Sequence, residues 1–248
     1  MEGVTGEASS LAGHLKLGKL IVLYDSNDIC LDGPTSTSFS EDVKKRYEAY
    51  DWQVLLVEDG NNCEEILKAL EEAKANTKQP TLIEVKTQIG YGSPLAGTNK
   101  VHGAPLGDEN TSSLKEYLGW ETEEFVIDDS VVDHFKKVVV DRGQEAHETW
   151  KKLLEDYESK YPDDALQLKA DIAGDLPNDW AKHLPTYNAG DKALASRKSS
   201  EAAIQVIAEQ VPSFWGGSAD LFSSNNTYIT GGGDFLPDNY ELRHELCL

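Results

Sequence analysis

The stretch LIVLYDSNDICLDG, residues 20–33, joins an apolar run to a strongly polar one. Its first four residues predict a buried strand. Acidic and amide side chains then follow at Asp25, Asn27, Asp28 and Asp32. Ligands of parallel sheets bind beyond the carboxyl ends of the strands, and amide, carbonyl and carboxylate oxygens suit Mg²⁺ or Ca²⁺. The stretch therefore predicts either a cation site at a strand end or a polar turn that hydrogen-bonds its own backbone.

Helix and strand patterns alternate around this stretch. Residues 40–50 predict a helix capped by Ser40, and residues 63–75 predict a second helix. One face of that second helix is apolar, at Ile66, Ala69, Leu70 and Ala73. Strands are predicted at 19–24, 52–59 and 80–87. The alternation predicts βαβ units, and hence an α/β fold with a parallel sheet flanked by helices.

A long loop, a helical region and a second unit follow. Residues 88–112 are rich in Gly and Pro, and a loop of that length in a compact domain is usually functional. Residues 130–170 predict helices with a buried face, marked by Trp150, Leu153, Leu154, Tyr157 and Tyr161. A second unit is predicted from about residue 194, with a helix at 198–210 and an apolar strand within 214–221.

The composition excludes several classes of partner. Acidic residues outnumber basic ones 44 to 23, for a formal net charge of −21. Because like charges repel, this argues against nucleic acid and anionic membranes as partners. The sequence shows no signal peptide and no apolar run long enough to span a membrane. The three cysteines form no CxxC pair, which predicts a reducing cytoplasm.

Further candidate site residues lie beyond the opening stretch. Arg197 and Lys198 stand at the start of a predicted helix, where cations oppose the helix dipole. A bound phosphate would reverse that penalty, and an exposed basic pair is the alternative. His102, in the glycine-rich loop, is a candidate acid, base or anion contact, or a loop histidine without a role. Asp220 and Ser224 follow a predicted strand, where they either face a cleft or form part of a turn.

Several blocks of the sequence, in this order, resemble transketolase. They are MEGVTGEASSLAGHLKLGKLIVLYDSNDICLDG, FSEDVKKRYEAYDW, IGYGSPLAGTNKVHGAPLG, LPTYNAGDKALASRKSSEAAI and GGSADLFSSN. The first resembles the second half of the thiamine diphosphate motif, which opens with Gly-Asp-Gly and closes at an Asn. The resemblance covers nearly the whole chain.

The resemblance implies a thiamine diphosphate-binding fold that is incomplete at both ends, as in an internal fragment of the family. Residues 1–145 would be the C-terminal part of the diphosphate-binding domain. Residues 146–192 would be an interdomain linker, and residues 193–248 the N-terminal part of the pyrimidine-binding domain.

The same resemblance implies roles around the cofactors, thiamine diphosphate and Mg²⁺ or Ca²⁺. Asn27 would bind the cation through its side-chain oxygen and Ile29 through its backbone carbonyl. Ile89 would pack on the thiamine. His102 would act near the diphosphate and the substrate as a catalytic residue. Asp220 would lie close to the thiazolium ring.

Other matched residues imply contacts to substrate and to a second subunit. Arg197 and Ser224 would bind the sugar phosphate. Glu2 and Glu7 resemble interface glutamates that link two cofactor sites in a homodimer. The family's catalytic glutamate directly follows an arginine. Here His244 follows Arg243, and Glu245, one residue later, is the candidate.

The implied activity is transfer of a two-carbon ketol unit in the pentose phosphate pathway. The donor would be a ketose phosphate such as xylulose 5-phosphate, and the acceptor an aldose phosphate such as ribose 5-phosphate. The chain would act as part of a longer cytoplasmic enzyme. The alternative is a catalytically inactive transketolase-like fragment that acts, if at all, as a binding or dimerisation partner.

Overall fold

The computed structural model describes residues 3–247, and for residues 244–247 the backbone alone. The described chain divides into two compact units between Glu123 and Glu124. The polar stretch at residues 24–33 lies in the first unit. The division into domains and linker implied by the family resemblance stays a prediction.

The first unit is built on a parallel sheet of three strands. They are β1 (Ile21–Ser26), β4 (Gln53–Val57) and β5 (Thr81–Lys86), in the order β1-β5-β4. Both pairings are parallel. The predicted α/β fold with a parallel sheet is confirmed. Its strands begin and end within a few residues of the predicted bounds.

Helices and a short hairpin surround this sheet. They are α1 (Gly3–His14), the hairpin strands β2 (Ile29–Cys30) and β3 (Gly33–Pro34), α2 (Val43–Ala49), α3 (Cys63–Ala75) and α4 (Asp108–Leu118). Asn62 caps α3 by accepting hydrogen bonds from the amides of Glu64 and Glu65. The predicted cap at Ser40 is wrong, because α2 begins at Val43 and the Asp42 side chain accepts from the amide of Lys45.

The two faces of the sheet carry separate cores. Leu82 and Ile83 are adjacent in β5 and therefore point to opposite faces. Leu82 packs with residues of α1 and α2 and with Trp52, whereas Ile83 packs with residues of α3 and with Val57. On the first face, the indole of Trp52 donates a hydrogen bond to the Ser9 carbonyl at 2.8 Å. Helices thus cover both faces of β5 and leave its carboxyl end to a cleft.

Gly13 marks the tightest approach of α1 to the rest of the unit. A Cβ atom at this position would lie 1.8 Å from the Tyr50 carbonyl oxygen. Gly13→Ala should therefore force a backbone shift and lower the free energy of unfolding by about 1–3 kcal/mol. Gly3→Ala in the same helix is the matched control, since a Cβ there meets nothing within 4 Å. Urea denaturation measures both, and equal stability of the two variants would contradict the expectation.

The glycine-rich loop after β5 is compact. Its start and end lie close together. A Cβ at Gly90, where φ is +66°, would lie 2.9 Å from a methyl group of Val101. The amide of Gly97 donates to the Ile89 carbonyl at 2.8 Å. The loop ends earlier than predicted, because α4 begins at Asp108.

The second unit is mainly helical. Its elements are α5 (Asp129–Phe135), a π-helical turn (Lys136–Asp141), α6 (Arg142–Lys160), α7 (Pro162–Ala173), α8 (Ser196–Gln210), β6 (Gly216–Ala219), α9 (Phe222–Asn225) and β7 (His244–Cys247). The helices predicted over 130–170 are confirmed. Their predicted buried face is wrong, because Trp150 is 49% exposed and Leu153 is 58% exposed. Within residues 3–247, no helix is long and apolar enough to cross a membrane.

Candidate functional site

An open cavity of about 1130 Å³ lies at the carboxyl end of the sheet in the first unit. The polar residues that follow β1, the last residues of β5 and the segment leading into α2 all line it. Asn27, Ile29 and His102 are among the lining residues. The structure therefore brings together three of the residues that the sequence singled out.

The turn after β1 presents two oxygen atoms suited to a cation. The Oδ1 atom of Asn27 accepts a hydrogen bond from the Ile29 amide at 3.0 Å. An amide oxygen has two lone pairs, so one remains for a ligand. Between them, Asp28 has a left-handed backbone at φ +61°. Asn27 and Ile29 are both half-buried, which leaves their oxygens within reach of the cavity.

The hairpin register leaves the Ile29 carbonyl outside the strand ladder. The amide of Thr35 donates to the Asp28 carbonyl at 2.9 Å, so these two residues form a hydrogen-bonded pair. Antiparallel pairs alternate, and the next pair, Ile29 with Pro34, is therefore not hydrogen-bonded. Proline also has no N–H to donate. The two oxygens fit a hard cation such as Mg²⁺, which prefers oxygen ligands.

His102 reaches the cavity because the glycine-rich loop is tied to the hairpin. The side-chain amide of Asn99 donates to the Leu31 carbonyl at 3.1 Å, and the His102 amide donates to the Asn99 carbonyl at 3.1 Å. Ile89 lies at the start of this loop, and its carbonyl anchors Gly97. Ile89 is not among the residues that line the cavity.

Sequence analysis missed a group of polar side chains on the wall of the cavity. Glu84 accepts hydrogen bonds from Ser26 Oγ at 3.0 Å and from Lys86 Nζ at 2.6 Å. The bond to Glu84 is the main reason that the pKa of Lys86 is raised. Burial raises the pKa of the Tyr24 phenol. The sequence feature that points to this group is the polar pair Glu84 and Lys86 near the end of an otherwise apolar strand.

The second unit brings together two of the three residues predicted in it for substrate and cofactor. A guanidinium nitrogen of Arg197, at the start of α8, donates to the Ser224 carbonyl at 3.5 Å. Asp220 directly follows β6 and has a left-handed backbone at φ +54°. All three side chains are exposed. Beside them, the Lys198 ammonium pairs with Glu201 at 2.7 Å.

The remaining candidates are less fully described. Glu7 is exposed on α1. Glu2 lies outside the described residues. The backbone of Glu245 pairs with Gly217 in the parallel β6–β7 sheet, and its side chain lies outside the described part of the chain. Among the described side chains, no group of three or more His, Cys, Asp or Glu is placed to hold a metal ion.

Parallel strands that end at an oxygen-lined cavity define an α/β domain of the ligand-binding class. Residues 1–177 match a family model described as transketolase, thiamine diphosphate binding domain. Because the match covers well over half of the chain, the chain belongs to the transketolase family.

Individual relatives agree with this assignment. The transketolase of Geobacillus stearothermophilus is 56% identical over 98% of this chain and 37% of its own length. A Pichia stipitis transketolase in complex with sedoheptulose 7-phosphate superposes with a TM-score of 0.94 at 40% identity. A second structure from that organism, of a mutant transketolase in complex with xylulose 5-phosphate, has the same score and identity. Both cover 100% of this chain and 37% of the matched chain. The chain thus spans about 37% of the length of these relatives.

Proposed function

We propose that this chain works as part of a transketolase, which moves a two-carbon ketol unit from a ketose phosphate to an aldose phosphate. The observation that carries the proposal is the pair of oxygens from Asn27 and Ile29, which lie where a parallel sheet binds its ligand. The family match supports thiamine diphosphate as the cofactor. We place the reaction in the pentose phosphate pathway and the protein in the cytoplasm.

Mg²⁺, or Ca²⁺ in its place, would bind to the side-chain oxygen of Asn27 and the carbonyl of Ile29. That cation would hold the diphosphate of the cofactor in the cavity. Thiamine diphosphate supplies the reactive carbon that carries the two-carbon unit between substrates. Ile89 would pack on the thiamine. His102, which lines the same cavity, would hold or move a proton near the diphosphate and the substrate.

The substrate phosphate would bind to residues of the second unit. Arg197 stands at the start of α8, where the helix dipole also favours an anion. Its guanidinium lies 3.5 Å from the Ser224 carbonyl, so the two proposed phosphate contacts are neighbours. The sugar phosphates in the Pichia stipitis structures support xylulose 5-phosphate as a donor. Ribose 5-phosphate would be an acceptor.

Cofactor activation would require residues of the second unit and of a second subunit. Asp220 would lie close to the thiazolium ring, and Glu245 would serve as the catalytic glutamate. Glu2 and Glu7 would lie at the interface of a homodimer and link its two cofactor sites. We retain residues 1–145 and 193–248 as parts of the diphosphate-binding and pyrimidine-binding domains, joined by a linker.

A turnover assay tests the proposed function. It compares the 248-residue chain with the parent polypeptide, defined as the longest reading frame of the gene that contains it. With xylulose 5-phosphate and ribose 5-phosphate, we expect thiamine diphosphate-dependent turnover by the parent polypeptide. Folded parent polypeptide without turnover would favour a binding partner instead. Full activity of residues 1–248 alone would show that these residues are sufficient for catalysis.

A further inference from the structure

The carboxyl end of β1 is bonded on one face of the sheet to β5 and on the other to Thr87, which directly follows β5. Asp25 and Ser26 are adjacent in β1, so their side chains point to opposite faces. On one face the Thr87 hydroxyl donates a hydrogen bond to the Asp25 carboxylate. On the other, Ser26 is bonded to both Glu84 and Lys86. We call these five side chains the strand-end brace.

The Ser26 side of the brace is a closed triangle of hydrogen bonds. Ser26 donates to Glu84, and Lys86 donates to Glu84 and, at 2.9 Å, to the Ser26 oxygen. Ser26 is 5% exposed, and the Glu84 side chain is 15% exposed. The register pairs Ser26 with Lys86, which fixes this triangle at the last residue of each strand.

The residues directly after the brace are those proposed to bind the cation. Asn27 follows Ser26 in the chain, and Asp28 holds a left-handed backbone that non-glycine residues adopt only when their surroundings favour it. The Lys86 side chain is 40% exposed, and ion pairs that lie partly in solvent contribute little to stability. The brace is therefore better explained by its position next to the turn at Asn27 than by a contribution to the stability of the core.

We propose that the strand-end brace positions the turn from Asn27 to Ile29 so that its two oxygens face the bound cation. This proposal rests on the proposed function. The members of the brace are positioning residues, which act on the two ligands through the backbone of the turn that follows Ser26. Glu84 also balances the charge of Lys86, so that the ammonium group does not repel a cation held nearby. Removing a direct hydrogen-bonding partner of a metal ligand commonly costs about 10–100-fold in metal affinity, and we expect the brace, which acts through the backbone of the turn, to lie at the lower end of that range.

Two variants remove one side of the brace each. Ser26→Ala opens the triangle, and Thr87→Val removes the bond to Asp25 with little change in shape. The matched control is Thr81→Val. Thr81 lies in the same strand β5, and its hydroxyl donates to Gln53 at 2.9 Å. That bond lies at the amino end of the sheet, so the control removes a similar bond away from the turn.

The first measurement needs no cofactor. Amide hydrogen exchange is followed at Ile29 and Thr35, whose N–H groups are bonded within the turn and hairpin. We expect Ser26→Ala and Thr87→Val to speed exchange at these amides about 10-fold beyond the Thr81→Val control, with core amides unchanged. Equal exchange in brace and control variants would overturn the proposal.

The second measurement is calorimetric titration of Mg²⁺ into the parent polypeptide with thiamine diphosphate present. We expect both brace variants to weaken Mg²⁺ binding about 10-fold, and Thr81→Val to leave it unchanged. Unchanged affinity in the brace variants would overturn the positioning role. If the unmutated polypeptide binds no Mg²⁺, the proposed function fails and the cation role of the brace fails with it. The exchange result then decides alone whether the brace holds the turn.

Discussion

Asn27→Ala is expected to weaken Mg²⁺-dependent binding of thiamine diphosphate by at least about 100-fold, the upper end of what the loss of a ligand's partner causes. The substitution removes the only side-chain oxygen among the two proposed cation ligands. It also removes the acceptor that fixes the Ile29 amide, so the second ligand loses its orientation. Titration of Mg²⁺ by calorimetry, at fixed thiamine diphosphate, measures the effect.

Asn61→Ala is the matched control for this substitution. Asn61 also lies in a polar turn after a parallel strand, where its amide is bonded to Asp59. It is exposed and does not line the cavity. We expect this variant to bind the cofactor like the unmutated protein. If Asn27→Ala binds as tightly as Asn61→Ala, the assignment of the cation site to this turn is wrong.

Ile83→Ala should cause a large loss of stability in the first unit. Ile83 is 0% exposed at the centre of β5, the middle strand of the sheet. Truncation removes buried methyl groups and leaves a cavity, at a cost of about 2–5 kcal/mol in the free energy of unfolding. Denaturation in urea, followed by far-UV circular dichroism, measures this loss.

Leu56→Ala in the neighbouring strand β4 is the matched control, because it truncates a strand side chain at a half-exposed position. Leu56 is 50% exposed, so its truncation opens little or no cavity. We expect it to cost no more than about 1 kcal/mol, the typical value for a point substitution. Similar losses for the two variants would mean that β5 does not form the centre of a packed core.

The sheet could be predicted from the sequence because its strands carry strong local signals. The strand β5 reads as an apolar run after a proline, and its first three residues, Thr81, Leu82 and Ile83, are all buried. Such runs are typical of parallel strands covered on both faces. The helix α3 is equally clear, since its apolar face at Ile66, Ala69, Leu70 and Ala73 marks its buried side.

The wall of the cavity could not be predicted in the same way. Glu84 and Lys86 alternate along β5, a pattern that alone indicates side chains facing solvent. Their meaning depends on the register that places Ser26 beside Lys86. Register between β1 and β5 follows from the packing of the whole unit, which no local stretch of sequence reports.

The second unit shows a different limit of helical periodicity. The spacing of Trp150, Leu153 and Tyr157 correctly places them on one side of α6. Periodicity tells which residues share a face, but it does not tell what covers that face. In the described chain, Trp150 and Leu153 remain largely exposed on their helix.

Mutation affects the backbone carbonyl of Ile29 differently from the side-chain amide of Asn27. One codon change can erase the Asn27 side chain, whereas every residue type at position 29 keeps a backbone carbonyl. That oxygen is lost only if the chain takes another route, and Pro34 opposes the simplest one because it offers no N–H to capture the carbonyl. Single mutations can therefore remove the Asn27 ligand readily. The Ile29 ligand is lost only if the hairpin itself changes its path.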